Sequence, residues 1–357
     1  MSRQKVHDLL QAACSGERLS RDQAMTLYTQ AELHELSQAA QAVRRRLHPE
    51  PVVSYVVDRN INYSNICVCG CRFCAFYRTP GQDGGYVLDF SQLKDKIREA
   101  MDLGATQILL QGSHHPELSI GYYEQMLRAI KKHFPDLHVH GFSPPEVMHF
   151  ASLSGLPPSR VLDRLIAAGL GSIPGGGAEI LVDRVRREIA PNKCSAGQWL
   201  EVMGLAHDKG LLTTATMMFG HVETLEDRLD HLLAVREQQD RTHGFTAFIP
   251  WTFQPDNTAL SARKATSVEY LRLLALSRLI LDNVPNLQVS WVTMGAKIGQ
   301  LGLFFGANDF GSTMIEENVV AASGVSFRIS QELMQEVIRK AGFEPRQRRM
   351  DYSLVEL

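Results

Sequence analysis

The sequence predicts an α/β chain closed into a (β/α)8 barrel of the TIM type, preceded by a helical extension. Three observations carry this expectation. From residue 51 onward, short apolar runs alternate with longer segments of helical periodicity. About eight such units fit the chain, and repeated strand–helix units imply parallel strands joined by right-handed crossovers. The 357 residues show no internal repeat, low-complexity tract or long linker. The expected division is residues 1–50 as the extension and 51–357 as the barrel with its C-terminal segment.

The elements follow in order. Residues 1–49 read as polar and helical, with Ala31–Leu47 free of helix breakers before Pro49. Val52–Val57 is a β-branched run and reads as the first, buried strand. Phe90, Leu93, Ile97, Ala100 and Met101 recur at helical spacing until Gly104. Gln107–Leu110 reads as a strand, Tyr122–His133 as a helix, and Leu137–Val139 as the next strand. Helices over Arg160–Ala168 and Gln198–Lys209 alternate with strands over Leu170–Ile173 and Leu211–Met217. Leu225, Leu229, Leu232 and Leu233 form one stripe behind a capping box of Thr224 and Asp227. Phe245–Ile249, Val268–Leu281 and Leu287–Ser290 read as strand, helix and strand, and Leu303–Phe305 as the last strand.

Composition narrows the function classes. Hydrophobic residues are 44% and charged residues 21%, as in ordinary globular proteins. Lys plus Arg number 37 against 39 Asp plus Glu, so no basic excess points to nucleic acid or an anionic membrane surface. No apolar run is long enough to span a bilayer, and residues 1–8 lack a signal-peptide apolar stretch, so a cytoplasmic location is expected.

Four of the six cysteines, Cys67, Cys69, Cys71 and Cys74, fall within eight residues, while Cys14 and Cys194 stand alone. Such crowding reads as metal or redox chemistry, not as a disulfide framework. Cys67, Cys71 and Cys74 have the spacing C-x3-C-x2-C, which suits three irons of a [4Fe–4S] cluster and leaves the fourth iron open. Structural zinc, which wants four ligands, would need histidines to complete the set. Cys69 allows a shifted ligand register; it is read as a bystander, since only Cys67, Cys71 and Cys74 place an aromatic, Phe76, two residues on.

Barrel sites lie on loops at the C-terminal ends of strands. Four unusual segments sit there: residues 59–80, Gln111–Leu118, Gly141–Val147 and Pro174–Glu179. Gly175 and Gly176 allow close backbone approach to a ligand, and neither a dinucleotide nor a P-loop fingerprint is present. Ser143 and Glu146 put a hydroxyl and an acid at the mouth, or else form a proline-rich turn. His115, His221, Gln254, Asn257 and Asn308 are candidate contacts for a polar substrate.

The cysteine spacing after a first strand resembles the radical S-adenosylmethionine (SAM) superfamily. Residues 74–78, 109–112, 173–181, 214–224, 250–258 and 306–318 resemble its branch that handles futalosine and deazaflavin precursors. The resemblance implies a [4Fe–4S] cluster, SAM and a one-electron reductant such as flavodoxin or ferredoxin. It implies that Gly112 and Ser113 stand where the superfamily carries a Gly-Gly-Glu-like motif against the SAM amine. Here Ser113 replaces the second glycine and no acid follows at once. Glu179 would reach the SAM amine or ribose, and Arg186 its carboxylate. The implied reaction is cyclisation of dehypoxanthine futalosine in menaquinone biosynthesis: a 5′-deoxyadenosyl radical takes the ribose C4′ hydrogen, and the carbon radical attacks the benzoate ring. No residue is assigned as the base that accepts the ring proton.

Overall fold

A computed structural model describes residues 3–356; Met1 and Ser2 of the amino-terminal stretch lie outside them. Three helices, α1 (Arg3–Ser15), α2 (Arg21–Gln30) and α3 (Leu33–Leu47), come first. Their apolar faces, with Leu27, Leu36 and Ala40 fully buried, join the same hydrophobic core as the barrel helices.

The strands are β1 (Val52–Val56), β2 (Asn60–Asn62), β3 (Gln107–Gln111), β4 (His138–Gly141), β5 (Ser172–Ile173), β6 (Leu212–Phe219), β7 (Phe245–Thr252), β8 (Asn286–Leu287), β9 (Asp309–Ser312) and β10 (Glu344–Gln347). β2 to β8 form a seven-stranded parallel sheet in chain order. A parallel bridge between Gln288 and Asp309 joins β8 to β9, and β9 pairs with β1. Because β1 leads directly into β2, the ring closes on itself, and the expected parallel barrel is formed. Helices between the strands cover its outside, and the apolar residues of each strand that face them supply the core.

Three strand assignments differ from the expectation. The cysteine loop does not follow Val52–Val57 directly: β2 intervenes, with Asn60 and Asn62 buried. Leu303–Phe305 is not a strand but the tightening turn after the helix Trp291–Gly302; the N–H groups of Leu303, Phe304 and Phe305 donate to the carbonyls of Gln300, Leu301 and Gly302. The closing strand is β9. β10, absent from the expectation, pairs with four of the five residues of β1, in the register Val52–Glu344 to Tyr55–Gln347. There it contributes Arg348 to the barrel floor, where the guanidinium holds Asp309 at 2.6 and 3.1 Å.

One outer contact makes a pH-dependent prediction. His207 bridges two threonine hydroxyls, with Nδ1 2.5 Å from Thr242 Oγ1 and Nε2 2.6 Å from Thr213 Oγ1. Burial lowers its pKa to about 4, against about 6.5 in an unfolded chain. Between those values the unfolded chain binds a proton that the folded site refuses. The stabilisation is therefore present above pH ~6.5 and lost as pH falls toward 4, with a slope of at most ~1.4 kcal/mol per pH unit from this site. Urea unfolding of the His207→Gln variant should show a correspondingly flatter acid limb; an unaltered slope would mean that His207 does not titrate on unfolding.

Candidate active site

A partly open cavity of about 270 Å³ lies inside the barrel. Its wall follows the two-residue alternation of the strands: Asp58 and Asn60, Gln107 and Gln111, Thr214 and Thr216 all face inward. Ile249, Trp251 and Val289 add an apolar side, and Arg348 and Met350 contribute to the lining from the C-terminal segment. Asn60 and Gln111 fall in the segments 59–80 and Gln111–Leu118 expected at the barrel mouth, but none of these residues was singled out on its own. The signal that could have found them is polar residues at every second position of otherwise buried strands.

Pro174–Gly177 after β5 borders the same cavity. A Cβ on Gly175 would lie 2.8 Å from the backbone of β6, and one on Gly176 would lie 2.4 Å from the Gln111 amide. Side chains here would collide with the neighbouring wall, so bare backbone faces the cavity. Glu179 follows in the left-handed region, with φ +41, where non-glycine residues are uncommon and cluster at functional sites. Its buried carboxylate lines the cavity and accepts from Lys193 Nζ at 2.9 Å. Burial opposes the Lys193 charge, but the neighbouring Cys71 and Glu179 outweigh it and hold the ammonium well above its ordinary pKa. The same ammonium lies 5.0 Å from the centre of the Phe73 ring, inside the cysteine loop. Glu179 and Lys193 thus join the cavity to the cysteines.

In that loop the N–H groups of Cys69 and His114 each donate to Cys67 Sγ at 3.4 Å. Backbone N–H groups of Phe76 and Tyr77 act on Cys74 in the same sense, against burial, which pushes both thiols up. The Phe76 ring rests edge-on to Tyr86 at 6.5 Å. Contact with the Cys69 thiol, at 3.4 Å, and burial raise Cys71. The N–H donors at Cys67 and Cys74 and the Lys193 ammonium offset part of the burial that holds all three thiols above their ordinary value; iron would take the sulfurs as thiolates, releasing their protons on binding.

Family models match the chain in two stretches: the radical SAM superfamily over residues 61–235 and the CofH/MqnC C-terminal region over residues 242–357. Cyclic dehypoxanthine futalosine synthase of Halalkalibacterium halodurans is 46% identical over 351 residues, covering 98% of this chain and 95% of that one. The chain belongs to the radical SAM superfamily. Radical SAM enzymes use a [4Fe–4S] cluster and SAM, and the donor set around Cys67, Cys71 and Cys74 fits such a cluster. A second radical SAM relative, aminodeoxyfutalosine synthase of Thermus thermophilus, is 40% identical over 314 residues, covering 87% of this chain and 84% of that one. In fold the chain is similar to methylornithine synthase, with a TM-score of 0.75 at 17% identity over 94% of this chain and 97% of that one.

Placed in this radical SAM barrel, several candidate residues have other duties. Arg186 does not line the cavity. Its guanidinium donates to the carbonyls of Gly177, Ala178 and Cys194 at 2.6–3.1 Å, so the fork expected for the SAM carboxylate instead shapes the glycine-rich turn. The Gly112 N–H donates to Glu146 Oε1 at 3.0 Å, and a Cβ there would lie 2.2 Å from the Tyr63 ring. Ser113 is buried, and its hydroxyl has no partner among the described residues. Ser143 caps a helix over Pro144–Ser154 and donates its hydroxyl to Glu146 Oε2 at 2.7 Å. That helix replaces the expected turn; Ser-Pro-Pro-Glu is a capping box with proline in the first turn, a signal legible in the sequence.

The proposed substrate contacts fare similarly. His115 Nδ1 accepts the Glu117 N–H at 3.1 Å. The buried His221 ring bridges Met218 O and the Val222 N–H. Gln254 donates its amide to Thr252, and Asn257 donates to Ala322 O at 3.0 Å. None of the four lines the cavity. Asn308 precedes β9 and therefore sits at the opposite end of the barrel from the cysteine loop, bonded to Asn286, Leu287 and Arg278. Its expected place after a strand fails because the strand was set at Leu303–Phe305.

Proposed function

We propose that the chain cyclises dehypoxanthine futalosine in menaquinone biosynthesis. The observation that carries this is the 46% identity along nearly the whole of both chains to a relative of that name, against 40% over 87% of this chain for the aminodeoxyfutalosine synthase. When bound, the cluster and SAM supply a 5′-deoxyadenosyl radical. Such a reagent is needed because a ribose C4′–H is unactivated and no tuned general base removes it at neutral pH.

The protein's part is positioning and exclusion of water. Cys67, Cys71 and Cys74 hold the cluster. Gly175, Gly176 and Glu179 receive SAM, the carboxylate facing its amine or ribose. Asn60, Gln111, Thr214 and Thr216 offer hydrogen bonds to a ribose, and Ile249 and Trp251 an apolar wall to an aryl ring. The reading includes a cytoplasmic enzyme served by flavodoxin or ferredoxin.

Given dehypoxanthine futalosine, SAM and a one-electron reductant without oxygen, the expected products are 5′-deoxyadenosine and a cyclised substrate. Deuterium placed at C4′ should appear in the 5′-deoxyadenosine. Recovery of the adenosyl group inside the product would instead support the aminodeoxyfutalosine synthase reading. Separately, Glu179→Gln should keep its iron content and weaken SAM binding by ~2–5 kcal/mol, as expected for truncating a buried charge contact. Equilibrium dialysis decides this, and unchanged SAM affinity would remove Glu179 from the SAM site.

A further inference from the structure

Cyclisation transfers the C4′ hydrogen, as an atom, to the adenosyl group and forms a carbon–carbon bond to the aryl ring. The ring then regains aromaticity by losing one electron, to a one-electron oxidant of the iron–sulfur class, and one proton. That proton has to leave the cavity inside the barrel.

Three side chains of β4 and β5 make a continuous line out of it. His138 and His140 lie two residues apart on β4, so their side chains share the inner face. His140 pairs in register with Ser172 of β5. The buried Ser172 Oγ lies 2.7 Å from His140 Nδ1 and 2.6 Å from His138 Nε2. His140 lines the central cavity, and among the described residues its Nε2 has no hydrogen-bond partner. His138 lines a different cavity of about 600 Å³ at the N-terminal end of the barrel, with Gly171, Arg349 and Asp351. A serine hydroxyl carries one proton and two lone pairs, so it can accept from one imidazole while donating to the other.

We infer that His140, Ser172 and His138 form a proton exit, with His140 taking the ring proton and His138 releasing it at the opposite end of the barrel. The inference rests on the cyclase reading for what it carries. Burial keeps both imidazoles below the ordinary histidine value, so both are neutral near pH 7 and able to accept. The charged groups facing them are Lys131 and Asp351 at His138, and Arg348 at His140. Sequence reading passed over all three residues because each sits in an otherwise ordinary strand.

The test uses His138→Ala and Ser172→Ala in anaerobic turnover with C4′-deuterated dehypoxanthine futalosine, SAM and dithionite. Both variants should still pass deuterium into 5′-deoxyadenosine. Cyclised product per 5′-deoxyadenosine should fall about 10²-fold, the low end for loss of a proton-transfer group. Added imidazole should restore product in His138→Ala, where the outer cavity has room, and not in Ser172→Ala. Unchanged product ratios in both variants overturn the exit. Failure of deuterium transfer in the parent protein overturns the cyclase reading and, with it, the cargo assigned to the path. Nitrogen-15 NMR of the imidazoles, recorded on reconstituted protein before reductant or substrate is added, tests the line itself. At pH 7, His140 Nδ1 should carry a proton and His138 Nε2 should not, which leaves His140 Nε2 free to accept from the cavity. Protons on both facing nitrogens, on neither, or on His138 Nε2 alone overturn the relay.

Discussion

Reconstituted anaerobically with iron and sulfide, Cys67→Ala, Cys71→Ala and Cys74→Ala proteins are each expected to lack a stable cluster and to leave SAM uncleaved. The Cys69→Ala protein is expected to keep about four irons per chain. Two backbone N–H groups act on Cys67 and two on Cys74, as outer donors commonly do around metal-binding sulfurs. The Cys69 thiol is buried against Cys71, and its carbonyl accepts from Asn192 Nδ2 at 3.2 Å, so it is packed into the interior of its own loop. Iron analysis and the visible absorption of the four proteins separate the possibilities. Cluster loss in Cys69→Ala together with retention in Cys67→Ala would shift the ligand register by one thiol.

The largest stability effect is expected at the barrel floor. Arg348→Met should destabilise the protein by ~3–5 kcal/mol, because it strands a buried carboxylate without its cation. Asp309 is fully buried; among the described residues it keeps, besides Arg348, only the Ser54 hydroxyl, at 2.5 Å, and the Gly311 N–H, at 2.9 Å. Adding Asp309→Asn to Arg348→Met should recover part of the loss, since a neutral amide is cheaper to bury than a charge. Urea unfolding measures both. A loss below ~1 kcal/mol for the single variant would mean that water reaches Asp309.

How far the sequence was legible depended on where polar side chains point. Strands such as Val52–Val56 and Phe245–Thr252 carry apolar residues and stand out from their surroundings. β2 and β9 do not, because Asn60, Asn62, Asp309 and Ser312 read as loop when nothing indicates a buried interior to receive them, and β10 does not, because Glu344, Arg346 and Gln347 form a polar, partly exposed edge strand. The cysteine and glycine segments were legible because their chemistry lies in residue type and spacing. Arg186 was not: a guanidinium satisfied by carbonyl groups looks the same in sequence as one waiting for a carboxylate. Asn308 shows how an error of place spreads, since a strand misplaced by a few residues moves its neighbour to the other end of the barrel. The cavity lining escaped notice for the same reason as β9.

β10 also bears on how the molecule is made. The cysteine loop, the glycine-rich turn and every helix of the ring leave the ribosome before residues 344–350 do. Until those residues arrive, β1 lacks one of its two neighbours and Asp309 lacks its cation. Until then the nascent barrel exposes that side of β1 and keeps an unfinished floor, and partly formed sheets with unpaired edges aggregate readily.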